Sequence, residues 1–186
     1  MMAPHAAETL ITSRLRLIPA TEPLLRASLA SNAALAEATG RTVPAAWPPE
    51  HYDADAVNFT LDWLRKRPGD TEWGFYCIEL PAADGGPGTL IGAGGFKGAP
   101  DADGIVEIGY SVLPEFQRRG YALEAVLGLV QFAFSQPKVL MICAHTLASG
   151  EGSIGVLKKA GFRMIGRGHD PGAPANQTVV RFELVK

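Results

Sequence analysis

The sequence predicts a single α/β domain built on a mixed, mostly antiparallel sheet of about seven strands with about four helices. Segments with strand-like alternation recur along the chain, and segments with helical spacing of apolar residues separate several of them. A strand, a helix and an almost wholly apolar strand follow one another over residues 105–144, which is typical of a parallel pair with a helical crossover. The 186 residues are 47% hydrophobic and 19% charged, which suits one domain with a sizeable core.

The composition argues against several classes of function. A net charge of -2 and a pI near 6.1 disfavour binding to nucleic acid or to an anionic membrane. No apolar segment approaches the roughly 20 residues of a membrane helix, and Met1–Glu8 lacks the features of a secretory signal. Cys77 and Cys143 form neither a disulfide framework nor a metal-ligand spacing. We therefore expect a cytoplasmic protein, with residues 1–11 as a flexible tail.

The first third of the chain predicts one strand and two helices. The strand covers residues 12–19, and a helix follows at about 22–30. The segment 31–52 is irregular and predicts a loop or a pair of short helices. A longer helix opens at Asp53 or Asp55. Its apolar stripe has helical spacing and consists of Val57, Leu61 and Leu64.

Three further strands are predicted to form an antiparallel meander. Two cover residues 73–80 and 89–96, and the third begins at Ile105 and ends at Pro114, since proline cannot donate to a continuing ladder. The third strand alternates, so that one face carries Val106, Ile108, Tyr110 and Val112 and the other carries Glu107, Gly109 and Ser111. Good helix formers follow from Tyr121 onward and predict a helix to about residue 134.

The turn between this strand and this helix predicts an anion site. Free N–H groups at a helix N-terminus, the helix dipole and the charges of Arg118 and Arg119 all favour a phosphorylated ligand. Gly120 has no side chain to hold phosphate oxygens away from those N–H groups. The local residues alone are equally consistent with a surface turn carrying two solvated arginines.

The last third of the chain predicts an interior strand followed by a helix and two more strands. The interior strand covers residues 138–144, and Ser153 is the expected cap of the helix. Strands are predicted at 162–166 and 178–185, with a loop over residues 170–176 between them.

Three segments of this chain resemble the GNAT N-acetyltransferases. Gln117–Ala122 matches the [Gln/Arg]-x-x-Gly-x-[Gly/Ala] turn of that superfamily. Thr12–Leu17 and Ser153–Phe162 resemble the first strand and the late helix of its RimJ/RimL-type branch. The resemblance covers nearly the whole chain and implies a single GNAT domain over residues 1–186, with the sheet splayed between its fourth and fifth strands. It also implies an acetyltransferase that takes acetyl-CoA as the acetyl donor.

The resemblance further implies where the ligands bind. Acetyl-CoA would lie in the splay with its pyrophosphate on the turn. The implied cofactor-binding residues are Ile108, Tyr110, Ser111, Val112, Gln117, Arg118, Arg119, Gly120, Tyr121 and Ala122. The acceptor would be a primary amine, either a protein or peptide N-terminus or a small molecule. We expect a monomer or homodimer that uses no metal.

Two positions differ from the pattern of the family. Gly150 stands where many members carry an asparagine, and Leu157 stands where many carry a tyrosine that protonates the departing thiolate. Both differences leave an alternative function open. In that alternative, the protein is a catalytically weak acyl-CoA sensor or a partner-binding module with the same fold.

Acetyl transfer to an amine needs a group that accepts the proton of the amine and a group that protonates the thiolate. Glu107 is the predicted base, with a structural ion pair to an arginine as the alternative. Ser153 is the predicted proton donor, with a plain helix cap as the alternative. His145 or water could replace Glu107 as the base. A covalent route through Cys143 is disfavoured, because a cysteine inside a buried strand is usually inert.

Overall fold

The computed structural model describes residues 7–168 and 178–186, and within them eight strands form one sheet. The strands are β1 (Leu10–Ile11), β2 (Arg16–Pro19), β3 (Phe75–Leu80), β4 (Thr89–Phe96), β5 (Ile105–Val112), β6 (Met141–Leu147), β7 (Arg163–Gly168) and β8 (Val179–Val185). The helices are α1 (Glu22–Ala30), α2 (Asn32–Thr39), α3 (Ala54–Lys66), α4 (Tyr121–Ser135) and α5 (Glu151–Lys159). Short 3₁₀ turns lie at Thr71–Trp73 and Pro114–Phe116. The predicted α/β class is confirmed, with β1 and α2 beyond the expected numbers.

The sheet is mixed and opens on one side of β5. Its strand order is β1-β2-β3-β4-β5-β6-β8-β7, and the β5–β6 pair is parallel whereas the other described pairs are antiparallel. β5 and β6 pair from Ile105 opposite Met141 to Ile108 opposite Ala144. Beyond these residues β5 stays paired with β4, while β6 stays paired with β8 as far as Leu147. The predicted splay between the fourth and fifth strands is confirmed, and these strands are β5 and β6 here.

A hydrophobic core lies on each face of the sheet. On one face, α4 and α5 bury their apolar sides against alternate residues of β5 and β6. On the other face, α1, α2 and α3 cover β3 and β4. The stripe predicted on α3 is buried there, and Asp53 caps this helix by accepting a hydrogen bond from the N–H of Ala56 at 3.1 Å. Burial of both faces fixes which side chains of β5 remain near the splay.

Several boundaries differ from the sequence predictions. β6 begins three residues later than predicted and ends at Leu147, so His145 lies within the strand. Pairing with β8 sets these bounds, and a single-sequence pattern does not contain that information. Leu10–Ile11 pairs with β2, so these two residues of the predicted tail are a short strand. The loop predicted at residues 170–176 falls outside the described residues.

In the part of the chain that is described, no helix combines the length and the apolar character needed to cross a membrane.

Candidate active site

The divergence of β5 from β6 leaves a strand edge open at the centre of the sheet. From Gly109 to Val112, β5 is paired with β4 on one side and has no β6 partner on the other. Ile108 is the last residue of the paired part, and Tyr110 and Ser111 lie along the open part. Backbone N–H and C=O groups at such an edge can bind an extended ligand as an added strand would. The structure therefore places Tyr110, Ser111 and Val112 along the unpaired part of β5 and Ile108 at its last paired residue.

The turn after β5 has the backbone of an anion-binding loop. Gly120 is the N-cap of α4, with a φ of 83°, and no side chain caps the helix. Arg118 also has a positive φ of 60°. The first N–H groups of α4, at Tyr121 and Ala122, have no partner within the helix and are available to an anion. Gln117 is turned inward instead, because its Nε2 donates to the carbonyl oxygen of Val112 at 2.8 Å and closes the turn.

A partly exposed ion pair between Arg14 and Glu124 supports this turn. Glu124 accepts hydrogen bonds from the Thr12 hydroxyl at 2.6 Å and from Nε of Arg14 at 2.7 Å. Arg14 also donates to the carbonyl oxygen of Arg119 at 3.2 Å and lies 4.7 Å from the ring centroid of Tyr121. Burial opposes ionisation of Glu124, but the hydrogen bonds from Thr12 and Arg14 outweigh it and hold its pKa below the ordinary value. The loop before β2 thus stabilises the conformation of the turn.

Glu107 lies beside the open edge on the face opposite Ile108. Its carboxylate forms an ion pair with Lys97, and its Oε1 lies 3.0 Å from Nδ1 of His145. The predicted alternative, an ion pair that fixes Glu107, is present with a lysine in place of the expected arginine. Glu107 is 26% exposed, so solvent can reach it. Cys143 is opposite Glu107 in the strand register, and burial together with the nearby Glu107 carboxylate raises the pKa of its thiol.

Ser153 lies on the other face and is joined to β5 by a hydrogen bond. The Tyr110 hydroxyl donates to the Ser153 carbonyl oxygen at 3.1 Å and lies 3.0 Å from its Oγ. Burial raises the pKa of Tyr110 to about 12, and the hydrogen bond with Ser153 opposes that effect. Ser153 is the third residue of α5, whose N-cap is Gly150, so the prediction that it caps the helix is wrong. Glu107 and Ser153 therefore lie on opposite faces of the sheet.

The two positions that differ from the family have physical explanations in the fold. A Cβ atom at Gly150 would lie 3.0 Å from Oγ1 of Thr146 and 3.1 Å from the carbonyl oxygen of Leu147, which leaves little room for an asparagine. Leu157 is 1% exposed and belongs to the core beneath α4 and α5. No phenol reaches the splay from that position, and the Tyr110 hydroxyl is the one that contacts the first turn of α5.

Two residues near the site were not selected from the sequence. The Tyr52 hydroxyl lies 3.6 Å from the position that a Cβ of Gly109 would take, and its ring packs edge-on against Phe75 at 5.3 Å. Burial, followed by the nearby Cys77 thiol, raises the pKa of Tyr52. Arg14 is the second residue. Its partner Glu124 lies 110 positions later in the sequence, so no local sequence pattern indicates the contact. For Tyr52, the sequence offered only an aromatic residue in the loop before α3.

The fold and the open edge beside β5 are those of a protein that can bind one extended ligand along the strand and an anion at the N-terminus of α4. A family model described as "Acetyltransferase (GNAT) domain" matches residues 14–163. The chain therefore belongs to the GNAT acetyltransferase family. It is 31% identical over 151 residues to the uncharacterised N-acetyltransferase YjdG of Bacillus subtilis strain 168, covering 81% of this chain and 87% of YjdG.

Solved structures show the same fold at lower sequence identity. An acetyltransferase of the GNAT family from Bacillus anthracis is 17% identical and superposes with a TM-score of 0.64, covering 96% of this chain and 98% of that chain. RimL, a ribosomal α-N-protein acetyltransferase in complex with coenzyme A, is 15% identical and superposes with a TM-score of 0.65, covering 96% of this chain and 98% of RimL. At these identities the likeness supports the fold alone.

Proposed function

We propose that this acetyltransferase moves the acetyl group of acetyl-CoA directly onto a primary amine, on a protein or peptide N-terminus or on a small molecule. The observation that carries the proposal is the open edge of β5 from Gly109 to Val112, which runs into the uncapped N-terminus of α4. One extended ligand with a diphosphate at its end fits both features. The name of RimL supports a peptide N-terminus as one class of acceptor.

The residues at the turn fit the diphosphate of acetyl-CoA. Its oxygens would accept hydrogen bonds from the backbone N–H groups of residues 118–122, and Arg118 and Arg119 would add positive charge. Gln117 would stabilise the turn rather than contact the ligand, since its side-chain amide donates a hydrogen bond to the carbonyl oxygen of Val112. Tyr110 and the N–H of Val112 would present their backbone to the pantetheine arm, with Ile108 at the start of the open edge, whereas the backbone of Ser111 is paired with Ala93 of β4.

Glu107 is the group we assign to proton removal from the acceptor amine. At pH 7 an α-amino group with a pKa near 7.7–8 loses its proton at a cost of about 1 kcal/mol, whereas a lysine amine near 10.4 costs about 4–5 kcal/mol. Glu107 is near the open half of β5 and 26% exposed, and the ion pair with Lys97 orients its carboxylate. The low cost for an α-amine favours an N-terminus over a lysine side chain as acceptor.

Ser153 is the group we assign to the departing thiolate. As the amine nitrogen bonds to the acetyl carbon, the carbon–sulfur bond breaks and the sulfur needs a proton. The Ser153 hydroxyl can supply that proton and regain one from water, while the Tyr110 hydroxyl, 3.0 Å away, orients it. Since Glu107 lies on the opposite face of β5, the amine can arrive from one face and the thiol can leave on the other.

The proposal is tested by measuring free thiol released from acetyl-CoA with a panel of peptide α-amines, lysine side chains and small amines. We expect turnover with at least one α-amine. Tight binding of acetyl-CoA without turnover for any acceptor would contradict the proposal and would favour the sensor function. Product mass spectrometry then identifies the acetylated nitrogen.

Glu107→Gln tests the assignment of the base. Turnover should fall most below the pKa of the acceptor amine, because the amide cannot accept its proton, while the affinity for acetyl-CoA should not change. Glu22→Gln is the control, since Glu22 is also ion-paired, with Arg26, but lies on α1. An unmoved pH–rate profile in Glu107→Gln would assign proton removal to another group or to water.

A further inference from the structure

Three side chains that can bind a metal ion converge on the face of the sheet beneath the splay. Glu107 on β5 is directly opposite Cys143 on β6, and His145 is two residues further on, so all three point to the same face. Their donor atoms, a carboxylate oxygen, a sulfur and a ring nitrogen, all lie within 4.8 Å of one another. The two strands are paired at these residues, so the backbone holds the donors in a fixed arrangement.

The contact between His145 and Glu107 is one that a cation would complete. Nδ1 of His145 is buried and neither accepts nor donates a hydrogen bond, although Oε1 of Glu107 is only 3.0 Å away. Lys97 already contacts this Oε1, and a metal ion held between the carboxylate and the ring would give the buried Nδ1 a partner.

We propose that Glu107, Cys143 and His145 form a zinc-binding site whose occupation blocks acetyl transfer. The inhibitory part of this proposal rests on the proposed role of Glu107 as the base, because a carboxylate bound to zinc cannot accept the proton of the acceptor amine. The ion would be an inhibitor of the transfer and not a cofactor of it. The thiol proton of Cys143 would pass to solvent as the Zn–S bond forms.

The donor set and the geometry suit zinc. Zinc binds thiolate sulfur at about 2.3 Å and imidazole nitrogen or carboxylate oxygen at about 2.0–2.2 Å, usually with four tetrahedral ligands. Such bonds place the donor atoms of a tetrahedral site about 3.2–3.8 Å apart. The observed separation of 3.0 Å between His145 and Glu107 and the limit of 4.8 Å for the set are close to that range. Side-chain rotations can make up the difference. Glu107 and His145 are 26% and 24% exposed, so water can supply a fourth ligand.

The charged neighbours of the site give the proposal a second test. Lys97 forms an ion pair with the same Oε1 of Glu107 and therefore competes with a metal ion. Arg181 and Glu183 on β8 neutralise each other through a contact of 2.7 Å, so they change the local charge little. Removing the Lys97 charge with Lys97→Met should therefore strengthen zinc binding.

The site is tested by titrating the full chain with Co²⁺, which replaces zinc and absorbs visibly when a thiolate binds it. We expect a sulfur-to-cobalt charge-transfer band that Zn²⁺ displaces. Cys143→Ser should abolish the band, and His145→Ala should weaken Zn²⁺ binding at least about tenfold. Cys77→Ser is the matched control, because Cys77 is also a buried free cysteine but belongs to the core under α1–α3. A band that is absent from the wild type, or that survives in Cys143→Ser, would overturn the site.

Inhibition is measured separately as the ratio of transfer rates with and without Zn²⁺ in each variant. Zinc should inhibit the wild type and Cys77→Ser reversibly, with recovery after EDTA, and should inhibit Lys97→Met at lower concentration. A cobalt band without zinc inhibition would overturn the inhibitory role while leaving the site. An enzyme inactive toward every amine would instead contradict the proposed function, and the cobalt spectrum would still decide whether the metal site exists.

Discussion

Replacing Gly120 by valine tests whether the turn before α4 holds the diphosphate of acetyl-CoA. Gly120 has a φ of 83°, a conformation that costs an L-residue about 1–2 kcal/mol. Space is not the main obstacle, since the nearest atom to an added Cβ is Nη2 of Arg14 at 3.4 Å. For a protein of this size, the strain should lower the melting temperature by about 2–8 °C.

The effect of Gly120→Val on the affinity for acetyl-CoA should be larger than its effect on folding. The valine methyl groups would stand beside the first N–H groups of α4 and keep phosphate oxygens out of reach. Hydrogen bonds to a charged group contribute about 1.5–3 kcal/mol each. Loss of one or two of them corresponds to a rise in Kd of about tenfold to about twenty-thousandfold. We expect a value near the lower end, because Arg118 and Arg119 keep their charges.

The assay is calorimetric titration of the folded variant with acetyl-CoA at fixed salt, next to thermal unfolding. Gly85→Val is the matched control, because Gly85 has a φ of 77° and open surroundings but lies in the turn between β3 and β4. It should lose a similar amount of stability and keep its affinity for acetyl-CoA. If Gly120→Val folds and binds acetyl-CoA as tightly as the wild type, the diphosphate does not lie on this turn.

Two further predictions concern the groups around the turn and the splay. Glu124→Ala should destabilise the fold by about 1–3 kcal/mol near neutral pH, because Thr12 and Arg14 lose their acceptor. Since folding lowers the pKa of Glu124, its contribution is present above the unfolded pKa and disappears as pH falls through the folded one, so urea unfolding should show the deficit shrinking below about pH 4.5. The exposed Glu37 of α2 provides the control Glu37→Ala, and a deficit that does not vary with pH would contradict the reasoning. Tyr110→Phe and Ser153→Ala should each lower kcat several-fold with little change in KM, and the double variant should be no slower than the slower single one; additive effects would show that the two hydroxyls act independently.

Much of the fold could be predicted from local patterns. The stripe on α3 and the alternation of β5 depend on the identity of neighbouring residues and on the periods of helix and strand. Both patterns are buried in the structure as expected. The open turn at Gly120 was also predictable, because its backbone conformation depends on consecutive residues. The predicted boundaries were wrong where an element's ends depend on a strand distant in sequence. The ends of β6, for example, are determined by its pairing with β8.

The chemistry of the site depended on contacts between distant residues. The sequence alone determined that a strand with one carboxylate, Glu107, leads into a phosphate-friendly turn. Only the tertiary structure placed Lys97, Cys143 and His145 around that carboxylate, because strand pairing joins residues that are up to 38 positions apart. The fold also places Ser153 on the opposite face of the sheet from Glu107. Ser153 lies inside α5 rather than at its N-cap, and its side chain forms a hydrogen bond with Tyr110. Hydrophobic periodicity specifies which face of a strand is buried, whereas the register between strands decides which polar side chains meet.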